Sequence, residues 1–243
     1  MMVFHYRQRN ISSYTPKLKI NNKPIELVHE FNFLGINLDS CMTWNSHINK
    51  ISNKLSCAIG IFRRLKKHLP LYFLKTLYSS LFLSYVNYGI LLWGNNIKRI
   101  TKLQKFAVRA ISNSRYNAHS DPLFKSLRLL KVSDIYELNL LKFHFKYKDD
   151  LLPKYFCNMF EDEQQTHTYE TRNRNAPKPP KTSSAEKALR YMLPKTISQT
   201  PECITSKTET HSINGYTNYI KNMMLDRYNK TCVQADCYIC QLN

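Results

Sequence analysis

Three groups of residues in this 243-residue chain have types and spacings that could do chemistry. Near the end, Cys232, Cys237 and Cys240 stand at C-x4-C-x2-C spacing, and the two-residue gap suits a zinc knuckle in which neighbouring thiolates grip one ion. The fourth ligand would have to come from further off, from His211 or Cys203; without it the three are reduced cysteines in a loose tail. The second group is Asp149-Asp150, part of Tyr147-Lys148-Asp149-Asp150. Paired carboxylates can hold divalent metal for phosphoryl transfer, but they need a rigid turn and a third carboxylate close by. This pair ends an amphipathic helical pattern just before Leu151-Leu152-Pro153, so it reads as helix-terminal polar sequence. The third group is cationic. Between Cys41 and His119 there are 13 Lys or Arg and no Asp or Glu, whereas a solvated face normally interleaves both signs. Such a stretch suits a surface that faces phosphates, the alternative being an ordinary solvated face of drifted composition. The residues placed for phosphate contact are Lys50, Lys54, Arg63, Arg64, Lys66, Lys67, Lys98, Lys102, Lys105 and Arg109.

The whole composition points the same way. A formal charge of +19 and a pI near 9.6 favour an anionic partner over a small neutral substrate. No pair of histidines brackets a glutamate at i, i+4 spacing, and the five glycines never gather into a phosphate loop, so hydrolase and nucleotide-binding readings have no foothold. His47 falls on the polar side of a helical pattern, where it reads as a solvated or dipole-facing residue rather than a phosphate contact. Tyr14, Tyr72, Tyr78, Tyr85 and Tyr88 could stack bases, although tyrosines at helical spacing more often serve a core. Seven scattered cysteines and the absence of an apolar run after Met1 fit a reducing, intracellular compartment, nuclear or cytoplasmic, rather than secretion. Leu71 to Trp93 is long and apolar, but Lys75, Thr76, Ser79, Ser80, Ser84 and Asn87 interrupt it, so it is expected to be a core helix and no membrane partner is expected.

These side chains need elements to hold them. Val3-Phe4-His5-Tyr6 is strand-like, Leu18–Ile20 and Pro24–Leu27 flank an Asn21-Asn22 turn, and Phe33–Leu38 reads as a further strand. From Asn45 the period becomes helical: Ile48, Ile51, Leu55, Ile59, Phe62 and Leu65 share a face, and the helix stops before Pro70 with cations in its last turns. A second helix starts at Pro70 and runs towards Gly89 or Gly94. A third, Ile97 to Ile111, turns Ile97, Ile100, Leu103, Ala107 and Ile111 inward and Lys98, Lys102, Lys105 and Arg109 outward. Asp121-Pro122 opens a short helix to Leu127, and Ser133 caps a longer one that buries Ile135, Leu138, Leu141 and Phe145. Glu161 to Lys187 is polar, proline-bearing and aperiodic, and a last amphipathic helix runs from Ser212 to Tyr228 through Ile213, Tyr216, Ile220 and Met223.

An ordered series of short blocks carries a resemblance. Phe33-Leu34-Gly35-Ile36-Asn37-Leu38-Asp39, Trp44-Asn45-Ser46-His47-Ile48, the basic helix to Leu69-Pro70, and Leu77-Tyr78-Ser79-Ser80-Leu81 come first. Asn87-Tyr88-Gly89-Ile90 with Trp93-Gly94, Leu103-Gln104-Lys105-Phe106-Ala107-Val108-Arg109 and Pro122-Leu123-Phe124 follow in order. The series resembles the region just after the polymerase palm in jockey-like non-LTR retrotransposon reverse transcriptases, over roughly Leu18 to Phe160 with an extension through His167–Arg172. The resemblance implies an RNA-directed DNA polymerase whose palm binds Mg and whose helical thumb holds a template–primer duplex of RNA and DNA. On that mapping the palm ends near Asp39 and Ser46 to Leu69 is thumb. The family's catalytic aspartates belong upstream of Phe33, and the later Tyr147-Lys148-Asp149-Asp150 is out of place, so this chain is expected to lack the active site and to be inactive alone. Ala188-Leu189-Arg190-Tyr191-Met192-Leu193-Pro194 stands where relatives carry a Trp-Asn pair before Leu-Pro.

The expected fold is therefore mainly α: residual palm strands over 1–40, a basic thumb-like helical domain over 41–160, a polar linker or arm over 161–211, and a helix with a cysteine-bearing tail over 212–243. The expected function is the nucleic-acid-holding part of an incomplete reverse transcriptase. The alternative is a stand-alone basic helical nucleic-acid-binding or structural module derived from such an element.

Overall fold

Two hairpins lead into the helices of the computed structural model, which describes residues 1–5, 18–156, 188–200, 204 and 212–229. The first pairs β1 (Lys19–Ile20) with β2 (Lys23–Pro24) around Asn21 and Asn22, both at positive φ, a conformation that asparagine tolerates better than most residues. The second pairs β3 (Glu30–Phe33) with β4 (Ile36–Asp39). Phe33–Leu38 is thus two strand ends and not one strand. Leu34 and Gly35 form the turn at φ 48° and 82°, and a two-residue loop with both residues left-handed matches the twist of the strands it joins. Residues 1–5 form no strand, although the His5 N–H reaches the Ser40 carbonyl at 2.9 Å.

Asp39 then organises the chain for the first helix. Its carboxylate accepts from the N–H groups of Cys41, Thr43 and Trp44 and from the Thr43 hydroxyl, all at 3.0–3.1 Å. That places a negative charge beside the positive end of α1 (Asn45–Leu65). Helix α1 buries Ile48, Ile51, Leu55, Ile59 and Phe62 as the periodicity predicts. The second helix forms from Leu71 but is interrupted. After α2 (Leu71–Tyr78) comes a π-turn (Ser79–Leu83), then α3 (Ser84–Asn87), a break at Tyr88-Gly89, and α4 (Ile90–Trp93). The hydroxyls of Thr76, Ser79, Ser80 and Ser84 all donate back to carbonyls three or four residues earlier, a pattern that bends and loosens helices. Among the described residues no helix is long and apolar enough to cross a membrane.

Helix α5 (Lys98–Ile111) packs along α1. The helices α6 (Ser120–Leu127) and α7 (Val132–Lys148) follow; α6 starts ahead of the expected Asp121 cap, leaving Pro122 in its first turn. Ser133 does not cap α7: it is the second helical residue, with its hydroxyl on Asp134. The stretch expected as linker lies outside the described residues up to Lys187, but α8 (Leu189–Gln199) follows it and buries Leu193. Helix α9 (Ile213–Asp226) begins at Ser212, whose hydroxyl accepts the Gly215 N–H at 3.3 Å. It packs on α7, burying Tyr216, Ile220 and Met224, with the Tyr216 ring 5.0 Å from that of Phe145. One core thus runs from α1 to α9, centred on Phe62, Tyr78, Phe82, Trp93, Phe124 and Phe145. Each such side chain contributes roughly 1.5–3 kcal/mol over leaving it in water. Among the described residues the fold is mainly helical, with strands confined to the start.

Candidate nucleic-acid interface

The first turns of α1 and α5 are tied side by side and run in the same direction. The Asn96 side-chain amide donates to Asn45 at 3.2 Å, and one turn on Arg99 donates to Asn49. This pairing fixes where each cation lies. On α5, Lys98 and Lys102 are exposed and Lys105 is half-buried, along a face opposite Ile100, Gln104 and Ala107. Arg109 continues that stripe but is already occupied: its Nε donates to the Ala118 carbonyl at 2.7 Å and its guanidinium lies 6.0 Å from the Phe106 ring centre. It holds the loop after α5.

The flank of α1 that carries Asn45 and Asn49 meets α5, whereas Lys50 and Lys54 turn to a different flank. Lys50 donates to Asn37 on β4 at 3.0 Å, and the Lys54 ammonium lies 4.7 Å from the centre of the Tyr85 ring. Arg63, Arg64 and Lys67 are exposed and Lys66 half-buried around the C-terminal end of α1, roughly 20 Å along the axis from Lys50 at 1.5 Å per residue. The sequence-selected cations therefore form three patches rather than one site. None is ion-paired with a described carboxylate; the pairs of the described residues lie elsewhere, Lys131 with Asp121 and Arg227 with Glu137.

Between α1, the π-turn with α3, and the β3–β4 turn lies a groove of about 400 Å³. Lys50, Lys54, Ser80, Ser84, Tyr85 and Tyr88 line it, with Gly35, His47, Ile51 and Leu81. The Tyr88 hydroxyl donates to the Leu34 carbonyl, and a Cβ on Gly35 would stand 3.5 Å from the Tyr88 ring, so the hairpin turn and α3 close one end together. His47 is not on a solvated face as expected: it is 2% exposed. Its Nδ1 accepts the Asn37 N–H at 3.2 Å, which leaves the proton of the neutral ring on Nε2, and Nε2 has no partner among the described residues. Burial and then Lys50 hold its pKa below the usual histidine value.

Sequence reasoning missed Gln104, which was read only as one letter of a block. It is fully buried on α5 and ties three elements together. Its amide donates to the Tyr78 hydroxyl at 2.9 Å and to the Leu130 carbonyl at 2.8 Å, while its oxygen accepts the Val132 N–H at 2.9 Å. The available signal was its position: four residues after Ile100 and three before Ala107, Gln104 falls in the middle of the buried stripe. Of the tyrosines, Tyr78 is core and stacks on Phe82 at 5.1 Å, whereas Tyr72, Tyr85 and Tyr88 are exposed and Tyr14 lies outside the described residues.

Among the described residues no set of side chains fits a catalytic metal. Asp149 and Asp150 are exposed in the turn that ends α7, and no three His, Cys, Asp or Glu gather to hold an ion among the described residues. Cys232, Cys237 and Cys240, with His211 and Cys203, lie outside those residues.

Fold and site together define a mainly helical body whose basic faces have no acidic partner among the described residues. In sequence the chain is similar to the probable RNA-directed DNA polymerase from transposon X-element of Drosophila melanogaster, with 24% identity over 136 residues. The aligned part is 53% of this chain and only 15% of that protein, so the chain spans a small share of the relative's length. The similarity supports a retrotransposon reverse-transcriptase-like relationship. No family model matches the chain, and no solved structure matches it.

Proposed function

We propose that this chain is the thumb-like, post-palm portion of a jockey-like non-LTR reverse transcriptase, which holds template and primer by their phosphates and supplies grip rather than chemistry. The observation that carries the proposal is the pairing of α1 with α5, which leaves unpaired cations along both helices in a stretch without a single carboxylate. Phosphates would supply the missing counter-charge. Contacts of this kind carry no base readout, so RNA and DNA duplexes of any sequence should bind. Asp149 and Asp150, exposed at a helix end, give no support to metal-dependent incorporation by these residues alone.

The α5 face makes the test sharp. Replacing Lys98, Lys102 and Lys105 by Gln should lower duplex affinity and flatten the slope of log Kd against log salt by up to about three units. Folding should be kept or slightly improved, since like charges at i, i+4 cost a few tenths of a kcal/mol per pair. Arg109→Gln should instead lower thermal stability, because it frees the Ala118 carbonyl. A folded triple variant with the parent's affinity and salt slope would sink the proposal.

A further inference from the structure

The groove between α1, α3 and the β3–β4 turn takes in one of the three cationic patches, Lys50 and Lys54, and differs from the other two in combining cations with aromatic rings. We propose that it receives a single unpaired nucleotide, with the base against Tyr85 and Tyr88 and the phosphate between Lys50 and Lys54. This rests on the thumb-like reading and adds a preference for single strand at one end of the held duplex.

Four observations converge on that occupant. About 400 Å³ lies within the range of small-ligand sites, which are mostly apolar with a few placed polar groups. Tyr85 and Tyr88 are 36% and 52% exposed, and an exposed ring offers a base a stacking face without selecting its identity. No carboxylate lines the groove, and its two ammonium groups rest on Asn37 and on the Tyr85 ring rather than on an acid, so an anion can enter without breaking an ion pair. The π-turn forms one wall through Ser80 and Leu81, and such turns recur at binding sites because they re-aim side chains that a regular helix would stack in line. A base still paired in a duplex could not enter, since its faces and edges are already used.

The test compares the full chain on a blunt duplex with the same duplex carrying a short single-stranded overhang that bears 2-aminopurine. The overhang should bind about tenfold more tightly, and the fluorescence of the 2-aminopurine should change on binding as stacking partners are exchanged. Tyr85→Leu should abolish the tenfold preference and the fluorescence change while leaving blunt-duplex affinity and its salt slope in place, and Tyr85→Phe should keep both. Folding of each variant is checked by its melting curve. Equal affinity for the two substrates overturns the proposal and leaves the duplex grip standing. Tight binding of the overhang with no binding of the blunt duplex supports the groove and overturns the duplex grip. If Tyr85→Leu is folded and keeps the preference, or if a phosphotyrosine peptide binds more tightly than the overhang with the same dependence on Tyr85, the groove is not a nucleotide site.

Discussion

At the scale of single residues, the buried histidines carry a pH dependence that the basic surface would not suggest. His144 on α7 is 8% exposed, and burial first, with the Lys148 charge second, pushes its pKa down to about 4. In the unfolded chain it titrates near 6.5. As pH falls below that value the unfolded chain takes up a proton that the folded chain refuses, so stability is lost progressively from about pH 6.5 down to about 4 and is constant below. The loss attributable to this residue is on the order of 3 kcal/mol. His47, lowered in the same direction for the same first cause, adds to it. Urea unfolding midpoints should therefore decline between pH 7 and pH 4, and His144→Leu should flatten that decline. Parent and variant curves that run parallel would show that His144 is not the source.

The elements show why some of this molecule was legible in its sequence and some was not. Helices α1, α5 and α9 were readable because their apolar spacing is strict, and α9 even announces itself with Ser212 as cap. The cationic faces were readable for the same reason, being the complement of the apolar stripe. What failed was local rules displaced by distant partners. Ser133 looks like the cap of α7, yet the first N–H of that helix is satisfied by Gln104, 28 positions earlier. His47 looks polar-facing, yet β4 and Trp93 cover it, with the Trp93 ring centre 5.9 Å away. Phe33–Leu38 looks like one strand because nothing in its hydropathy marks the turn; only Gly35 does. The groove could not be seen at all, since its walls come from three separate elements. The distant cap makes a prediction that belongs to the element: Gln104→Leu keeps the volume but strands the Tyr78 hydroxyl, the Leu130 carbonyl and the Val132 N–H in the core. The cost should be about 2–4 kcal/mol, with hydrogen exchange fastest at the start of α7. Ser133→Ala should cost only a few tenths of a kcal/mol; the reverse order of the two would restore Ser133 as the cap.

For the whole molecule, the asymmetry of charge matters more than its total. Glu and Asp are kept to the hairpins, to α6 and α7 and beyond, while α1 to α5 have none. Where acids occur on the far side, they bind the elements to one another. Asp134 accepts from Tyr228, whose hydroxyl also accepts the Lys131 N–H at 3.0 Å and whose ring lies 4.7 Å from the Lys131 ammonium, so the end of α9 is fastened to the start of α7. The two halves thus solve opposite problems, one neutralising itself and the other left to repel itself. Repulsion within a folded surface is relieved by small ions, which crowd around it and screen it. The free chain should therefore melt at a higher temperature as ionic strength rises, whereas its complex with a polyanion should melt at a lower one as the ligand is stripped away. A calorimetric scan of each against salt should give two lines of opposite slope that converge. Parallel lines would mean that the unpaired cations store no strain. If they converge, this half of the fold has traded some of its own cohesion for readiness to meet an anion, so that the protein is at its least comfortable when it is alone in dilute buffer.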